Sequence, residues 1–166
     1  MRVFIAVPIL LLLVIFQSAI VSNFPLLHGT ADVILITIIA WAIQKRVQTA
    51  WHWGVIGALL IGFVSDIPYL VPIIGYLLVV GLTLALRQRV WQVPFLAMLI
   101  AIFFGTVVVN LATIIVLRIK GTPLPILESI NLVMLPSLLL NLLLSLPFYT
   151  LFSDLAKWLY PVELEM

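Results

Sequence analysis

The chain contains no cysteine and few charged residues, and each shortage excludes a class of protein. Without cysteine, disulfides and thiolate chemistry are excluded, and the redox state of the compartment cannot be read. Asp, Glu, Lys and Arg together make up 8% of the 166 residues, whereas soluble domains contain about 25%. This polar surface is too small to cover a water-soluble globule. The cations are also scattered, so the formal charge of +2 does not indicate nucleic-acid binding.

Apolar residues take the place of the missing charges and account for 65% of the chain. This excess predicts an integral membrane protein whose solvent is lipid. No segment alternates with the period of two that a membrane β-barrel requires. The sequence therefore predicts an all-α integral membrane protein, one polytopic domain over residues 1–166 with a bundle of six transmembrane helices. The predicted spans are approximately 3–22, 29–44, 51–66, 68–86, 92–117 and 130–153.

The first span, "MRVFIAVPILLLLVIFQSAIVS", has some features of a signal peptide. Arg2 precedes an apolar core, and small residues follow it. However, an apolar run of about 20 residues is long for a signal core, and the rest of the chain is equally hydrophobic. We therefore expect a membrane span here.

The positions of the cations predict the orientation of the bundle. With the N-terminus inside, only Arg118 and Lys120 lie outside, which agrees with the positive-inside rule and places both termini in the cytoplasm. The cations then on the cytoplasmic side are Arg2, Lys45, Arg46, Arg87, Arg89 and Lys157. Tryptophans beside these cations predict an aromatic belt at the same interface. They are Trp51, Trp53, Trp91 and Trp158.

Three acidic residues, each close to a serine or threonine, lie where the second, fourth and sixth helices are predicted to begin. They are Asp32 after Thr30, Asp66 after Ser65, and Glu128 before Ser129. An acid in the first turn complements the partial positive charge of a helix N-terminus, and Ser or Thr can act as the N-cap. Helix-end architecture is therefore the first interpretation. A contact with a partner or ligand, and catalysis, are the alternatives.

Asp32 and Asp66 are predicted to lie at similar depth in the membrane. Between the inner turn and Asp32 the second helix has 12 uncharged residues, and between the inner turn and Asp66 the third helix has 13. That corresponds to about 18–20 Å, compared with a hydrocarbon core of about 30 Å. Neighbouring carboxylates could form a proton relay, a cation site or a hydrolase pair. The chain has no Gly-x-Gly-Asp, no His-Glu-x-x-His and no Ser/His pair at matching depth, so no catalytic or metal-binding residue is predicted.

Small residues recur every four positions on several predicted helices, and such stripes let helix backbones approach closely. Internal packing is the first interpretation, and association with another protein is the alternative. These residues are Gly54, Ala58 and Gly62 on the third helix, Ala97, Ala101 and Gly105 on the fifth, with Gly75 as a further close-packing position on the fourth. Asn110 and Asn141 fall well inside the fifth and sixth helices. Because a buried amide needs a partner, each predicts an interhelical hydrogen bond.

The stretches "GTADVILITIIAWAI" and "GALLIGFVSDIPYLVPIIGYLLVV" together resemble MreD, the small polytopic rod-shape-determining protein of bacteria. In that family an acid opens one helix, a Gly-Phe/Leu-x-x-Asp sequence ends the next, and a Pro-x-Gly element follows. Asp32, the run Gly62–Asp66, and Pro72 with Gly75 occupy these places. The resemblance covers roughly residues 28–90. The residues flanking the first acid differ from the family's Pro-Asp-Leu, and the proline–glycine spacing is one residue longer.

This resemblance implies a non-catalytic scaffold or regulatory subunit of the elongation (rod) complex in the bacterial cytoplasmic membrane. Such a subunit supports lateral peptidoglycan synthesis and cell shape. The implied direct partner is an MreC-like bitopic membrane protein, and the indirect partners are MreB, RodA and a class B penicillin-binding transpeptidase. The resemblance implies no cofactor and no nucleic acid, and membrane lipid surrounds the protein.

A transport function is the alternative, because MreD-like proteins are similar in fold to the substrate-binding S-components of energy-coupling-factor transporters. Such a subunit would bind a vitamin or a metal. S-components typically carry Ala-x-x-x-Ala on the first helix, where this chain has only Ser18 and Ser22 at that spacing. A small intramembrane enzyme is a third hypothesis, for which the sequence offers no matched nucleophile, base or metal set.

Overall fold

The computed structural model describes residues 3–65, 67–89, 93–122 and 125–161. These residues form helices and no strand, so the all-α prediction is confirmed. The α-helices are Ala6–Ala19 (α1), Val33–Ala42 (α2), Ala50–Val64 (α3), Leu70–Arg89 (α4), Pro94–Ile119 (α5), Ile126–Ser129 (α6) and Leu135–Leu159 (α7). A 3₁₀ turn, Val21–Asn23, follows α1, and a π-helical segment, Ile130–Met134, joins α6 to α7.

Four helical stretches are long and apolar enough to cross a membrane. They are Ala6–Asn23, Leu70–Arg89, Pro94–Ile119 and Ile126–Leu159, and they correspond to the first, fourth, fifth and sixth predicted spans. The predicted second and third spans form the shorter helices α2 and α3, of 10 and 15 residues. At about 1.5 Å per residue these reach roughly 15 and 22 Å, less than the hydrocarbon core of about 30 Å.

Helix α2 is the centre of the bundle. All ten of its residues are buried, and α1, α3, α4, α5 and α7 all contact it. A helix that is apolar on every side is stable when neighbours cover it on every side. The most extensive helix contacts elsewhere are those of α4 with α5 and with α3.

The C-terminal end of α2 is held by a cation from α4. The Arg87 Nη1 group donates hydrogen bonds to the carbonyl oxygens of Ala42, Gln44 and Val47, at 3.1, 2.9 and 3.0 Å. The last carbonyls of a helix have no partner inside the helix. Arg87 therefore caps α2 and brings the C-terminal ends of α2 and α4 to the same end of the molecule.

Two tryptophans pack inside the bundle near this end. Trp41 stacks on Trp53 with ring centroids 4.5 Å apart, and both side chains are completely buried. The predicted interfacial position of Trp53 is therefore wrong, because its indole fills the space beside α2. Trp51 and Trp158 are exposed, and Trp91 lies outside the described residues.

The acids and caps that the sequence predicts at the starts of the fourth and sixth helices are only partly correct. Ser65 ends α3, and α4 begins five residues later at Leu70, so Ser65 does not cap α4. Glu128 does lie in the first turn of α6. Ser129, however, is not an N-cap, since its hydroxyl donates to the carbonyl oxygen of Pro125 at 2.9 Å.

Candidate functional site: a polar centre around Asp32

Asp32 lies at the start of α2, as predicted, but it is itself the N-cap, whereas the sequence predicts an acid in the first turn with Thr30 available as the cap. The Oδ1 atom of Asp32 accepts a hydrogen bond from the backbone N–H of Leu35 at 2.9 Å. The donor comes three residues after the cap, which is the usual geometry for an aspartate at this position. Gln17 of α1 provides a second acceptor, because its Oε1 atom lies 3.2 Å from the backbone nitrogen of Ile34. Two of the otherwise unpaired first-turn donors are thus satisfied.

The Asp32 carboxylate also binds a side chain from α4. The hydroxyl of Tyr76 donates to Asp32, at 2.8 Å from Oδ2 and 3.0 Å from Oδ1. Tyr76 is completely buried, and it directly follows Gly75. Sequence reasoning missed Tyr76. The available signal was a tyrosine inside an apolar helix, because a buried phenol usually finds a hydrogen-bond partner.

Asn141 joins α7 and α5 to the same centre. Its Oδ1 atom accepts the backbone N–H of Asp32 at 2.8 Å, and its Nδ2 group donates to the hydroxyl of Thr106 at 2.9 Å. Asn141 is completely buried, and the predicted interhelical hydrogen bond is confirmed. The same prediction is wrong for Asn110, whose Nδ2 group donates to the carbonyl oxygen of Thr106 in its own helix at 2.9 Å.

The segment before Asp32 lies directly against the π-helical segment and α7. The backbone N–H of His28 donates to the carbonyl oxygen of Leu132 at 3.0 Å, and Leu26 and Gly29 exchange two backbone hydrogen bonds. A Cβ atom added to Gly29 would contact the Val133 carbonyl oxygen and lie 2.7 Å from the Ser137 nitrogen. The absence of a side chain at this position therefore lets the two backbones meet.

The small residues singled out in the sequence face neighbouring helices. A Cβ atom at Gly54 would lie 2.7 Å from Val80 on α4, and one at Gly105 would lie 3.1 Å from Val79. The space at the other glycines is limited in the same way by Tyr69 beside Gly62 and Val109 beside Gly75. Three alanines complete the stripes and are fully buried, namely Ala58, Ala97 and Ala101. These contacts lie within the chain, and a role for the same residues toward a partner stays a prediction.

One further acid of the described residues lies apart from this centre. Glu128 is exposed on α6. Asp66 lies outside the described residues, so its predicted proximity to Asp32 stays a prediction. The residues that do meet are Gln17, Asp32, Tyr76, Thr106 and Asn141, from α1, the start of α2, α4, α5 and α7. We call this set the polar centre.

The hydrogen bonds of the polar centre connect neighbouring helices to one another. Both oxygens of the Asp32 carboxylate accept hydrogen bonds from protein donors, and the amide of Asn141 is used on both sides. Between helices in lipid, where burial of apolar surface gives little preference for one neighbour, such bonds select which helices associate.

Comparison with protein-family models, curated proteins and solved structures finds no match to this chain. The resemblance to MreD therefore rests on the motif residues alone.

Asn141→Leu is expected to lower the free energy of unfolding by about 2 kcal/mol, because the Asp32 N–H and the Thr106 hydroxyl each lose a buried partner. Reversible unfolding in detergent micelles measures the change. Thr37→Val is the matched control, since Thr37 is equally buried and its hydroxyl makes no hydrogen bond to the described residues. We expect no loss of stability for the control. Equal losses in both variants would contradict the role of Asn141.

Proposed function

We propose that this protein is a non-catalytic membrane scaffold subunit of the bacterial elongation complex, which binds an MreC-like bitopic membrane protein. One observation supports the proposal: the acid of the MreD-like motif is hydrogen-bonded to the residue that directly follows the proline–glycine element. Asp32 opens α2, and Tyr76, directly after Gly75, donates to its carboxylate at 2.8 Å. Asp32 thus joins α2 to α4, which supports a role for the motif acid in organising the bundle that a scaffold presents to its partner.

We further propose six membrane crossings, with α2 and α3 as short crossings, and both termini in the cytoplasm. The arrangement of the cations supports this orientation. Arg87 reaches the turn after α2, and the Arg46 Nη1 group donates to the Tyr160 carbonyl oxygen at the end of α7, at 3.3 Å. The C-terminal ends of α2, α4 and α7 therefore share one basic end of the molecule. The positive-inside rule assigns that end to the cytoplasm.

For the partner's single span we propose the groove between α4 and α5. This apolar groove has a volume of about 230 Å³. It is lined by Leu70, Val71, Ile74, Gly75, Leu78, Val108, Ala112 and Val116. Ala112 is a small residue in this lining, and small residues favour close helix association in lipid. Gly75 also belongs to the motif on which the proposal rests.

Val108→Trp, which fills the groove, is expected to reduce co-purification of an MreC-like bitopic protein about tenfold, equivalent to about 1.4 kcal/mol of binding free energy. The measurement is affinity purification of the tagged protein from its bacterial host after gentle solubilisation, followed by mass spectrometry. Val7→Trp is the matched control, because Val7 is the same residue type on α1 with 40% exposure, compared with 37% for Val108. We expect the control to retain the partner.

Two outcomes of this purification would overturn the proposal. Recovery of ATP-binding-cassette ATPases with a transmembrane coupling subunit would indicate the alternative, a vitamin or metal transport subunit. If an MreC-like protein is recovered, but Val108→Trp and Val7→Trp reduce its amount equally, its span does not bind in the α4–α5 groove.

A further inference from the structure

A pocket of about 210 Å³ lies at the basic end of the molecule, where α2 and α7 end and α5 begins. It is separate from the polar centre and from the α4–α5 groove. Its lining residues are Ile43, Gln44, Lys45, Arg46, Pro94, Tyr149, Ser153, Ala156 and Lys157. Three of these side chains are cationic and none is acidic.

Two of the pocket cations, Lys157 and Arg46, can each bind a further anion. Asp154 forms an ion pair with Lys157 at 2.7 Å, but both side chains are mostly exposed, 74% and 62% respectively. Exposed pairs of this kind are weak and readily exchange partners. Arg46 is held in place through its bond to the Tyr160 carbonyl oxygen, and a guanidinium group has five N–H donors in total.

Backbone dipoles around the pocket also suit an anion. Pro94 is the first residue of α5, so the partial positive charge of that helix N-terminus lies at the pocket. The carbonyl of Ala42, the last residue of α2, and that of Gln44 in the following turn accept hydrogen bonds from Arg87. Uncharged polar groups complete the lining at Tyr149 and Ser153.

The surroundings of the pocket resemble a membrane interface. Trp158, adjacent to Lys157, is 75% exposed, and exposed tryptophans beside cations are typical of the headgroup region. Ile43, Pro94 and Ala156 provide apolar walls next to the cations. Basic pockets between membrane helices on the cytoplasmic side bind anionic lipid headgroups. We propose that this pocket binds the phosphate headgroup of an anionic phospholipid.

The test is native mass spectrometry of the full-length protein in mild detergent, titrated separately with phosphatidylglycerol and phosphatidylcholine. We expect the protein to bind phosphatidylglycerol in preference. Lys45→Gln/Lys157→Gln should weaken this binding roughly 20- to 30-fold, since each cation near an anionic headgroup contributes about a fivefold factor. The matched control, Arg118→Gln/Lys120→Gln, removes the same charge at the other end of α5 and should change binding little.

Two further arms identify the ligand and the place. Ser153→Phe fills the pocket without changing its charge and should also reduce phosphatidylglycerol binding, and thermal unfolding checks that each variant is folded. Inorganic phosphate at constant ionic strength should not displace the lipid. Equal binding of the two lipids, or equal losses in the two double variants, would overturn the proposal. Displacement by inorganic phosphate would overturn it too, because the site would then belong to a soluble anion.

Discussion

Asp32→Ala is expected to lower the free energy of unfolding by about 3–4 kcal/mol, the largest loss that we predict for a side chain in this protein. The substitution removes the N-cap of α2, and it leaves the Leu35 N–H and the Tyr76 hydroxyl without an acceptor. A buried donor that loses its partner costs about 1–3 kcal/mol, and a lost N-cap costs about 1 kcal/mol. Unfolding by denaturant in micelles, followed by circular dichroism, measures the loss.

Asp154→Ala is the control for this experiment. It removes the same side chain and charge from an exposed site on α7, where its ion-pair partner among the described residues is the mostly exposed Lys157. The expected loss is below about 1 kcal/mol. If the two alanine variants had the same free energy of unfolding, the hydrogen bonds of Asp32 would not stabilise the bundle.

A double-mutant cycle with Tyr76 locates the energy in the bond between the two helices. Tyr76→Phe keeps the ring that fills the core and removes only the hydroxyl that donates to Asp32. Combined with Asp32→Ala, it should show a coupling energy of about 1–2 kcal/mol, since residues of one hydrogen-bond network are not additive. Additive losses would mean that α4 and α2 are held together by apolar packing alone.

Gly29→Ala is expected to lower the free energy of unfolding by about 3 kcal/mol, because the added methyl group would overlap backbone atoms. The nearest atoms are the Val133 carbonyl oxygen and the Ser137 nitrogen, the latter at 2.7 Å. Neither is at the end of a flexible side chain, so the segment before α2 must move away from α7. That movement would stretch the bond from the His28 N–H to the Leu132 carbonyl oxygen, now 3.0 Å long.

Gly81→Ala provides the contrasting control on α4. A Cβ atom there would lie 3.5 Å from the Trp51 ring, which is an ordinary van der Waals contact. Alanine also favours a helix over glycine by up to about 1 kcal/mol, so this variant should be as stable as the parent or slightly more stable. A Gly29→Ala protein as stable as Gly81→Ala would show that the contact between the Gly29 segment and α7 is loose.

Local features of the site could be predicted from the sequence because they involve residues close together in the chain. The sequence predicts an acid at the start of α2, although Asp32 itself, bonded to a donor three residues later, replaces Thr30 as the N-cap. The first-turn position of Glu128 is equally local. The need of Asn141 for a partner could also be predicted, since an amide inside an apolar helix is costly without one. Which partner it has could not, because Asp32 is 109 residues away.

Two of the wrong predictions share one physical cause. The Trp53 indole can lie at the membrane interface or stack inside the bundle, and the Asn110 amide can bond to another helix or to its own, at similar energy. Local sequence does not distinguish these alternatives, because the choice depends on which helix lies opposite. The bond from Tyr76 to Asp32 is missed for the same reason.

The sequence by itself determined that this is an all-helical chain whose apolar helices belong in a membrane, and that an acid lies at the start of one of them. Composition and local hydrogen bonding are sufficient for those conclusions. Only the tertiary structure decided that α2, one of the two shortest apolar helices, is the buried centre, with α1, α3, α4, α5 and α7 packed against it. Lipid and protein interior are equally apolar, so a helix that faces one has the same hydropathy as a helix that faces the other. The difference lies in packing and in a few polar bonds, such as those of Asp32, Tyr76 and Asn141, which exist only after the helices have met.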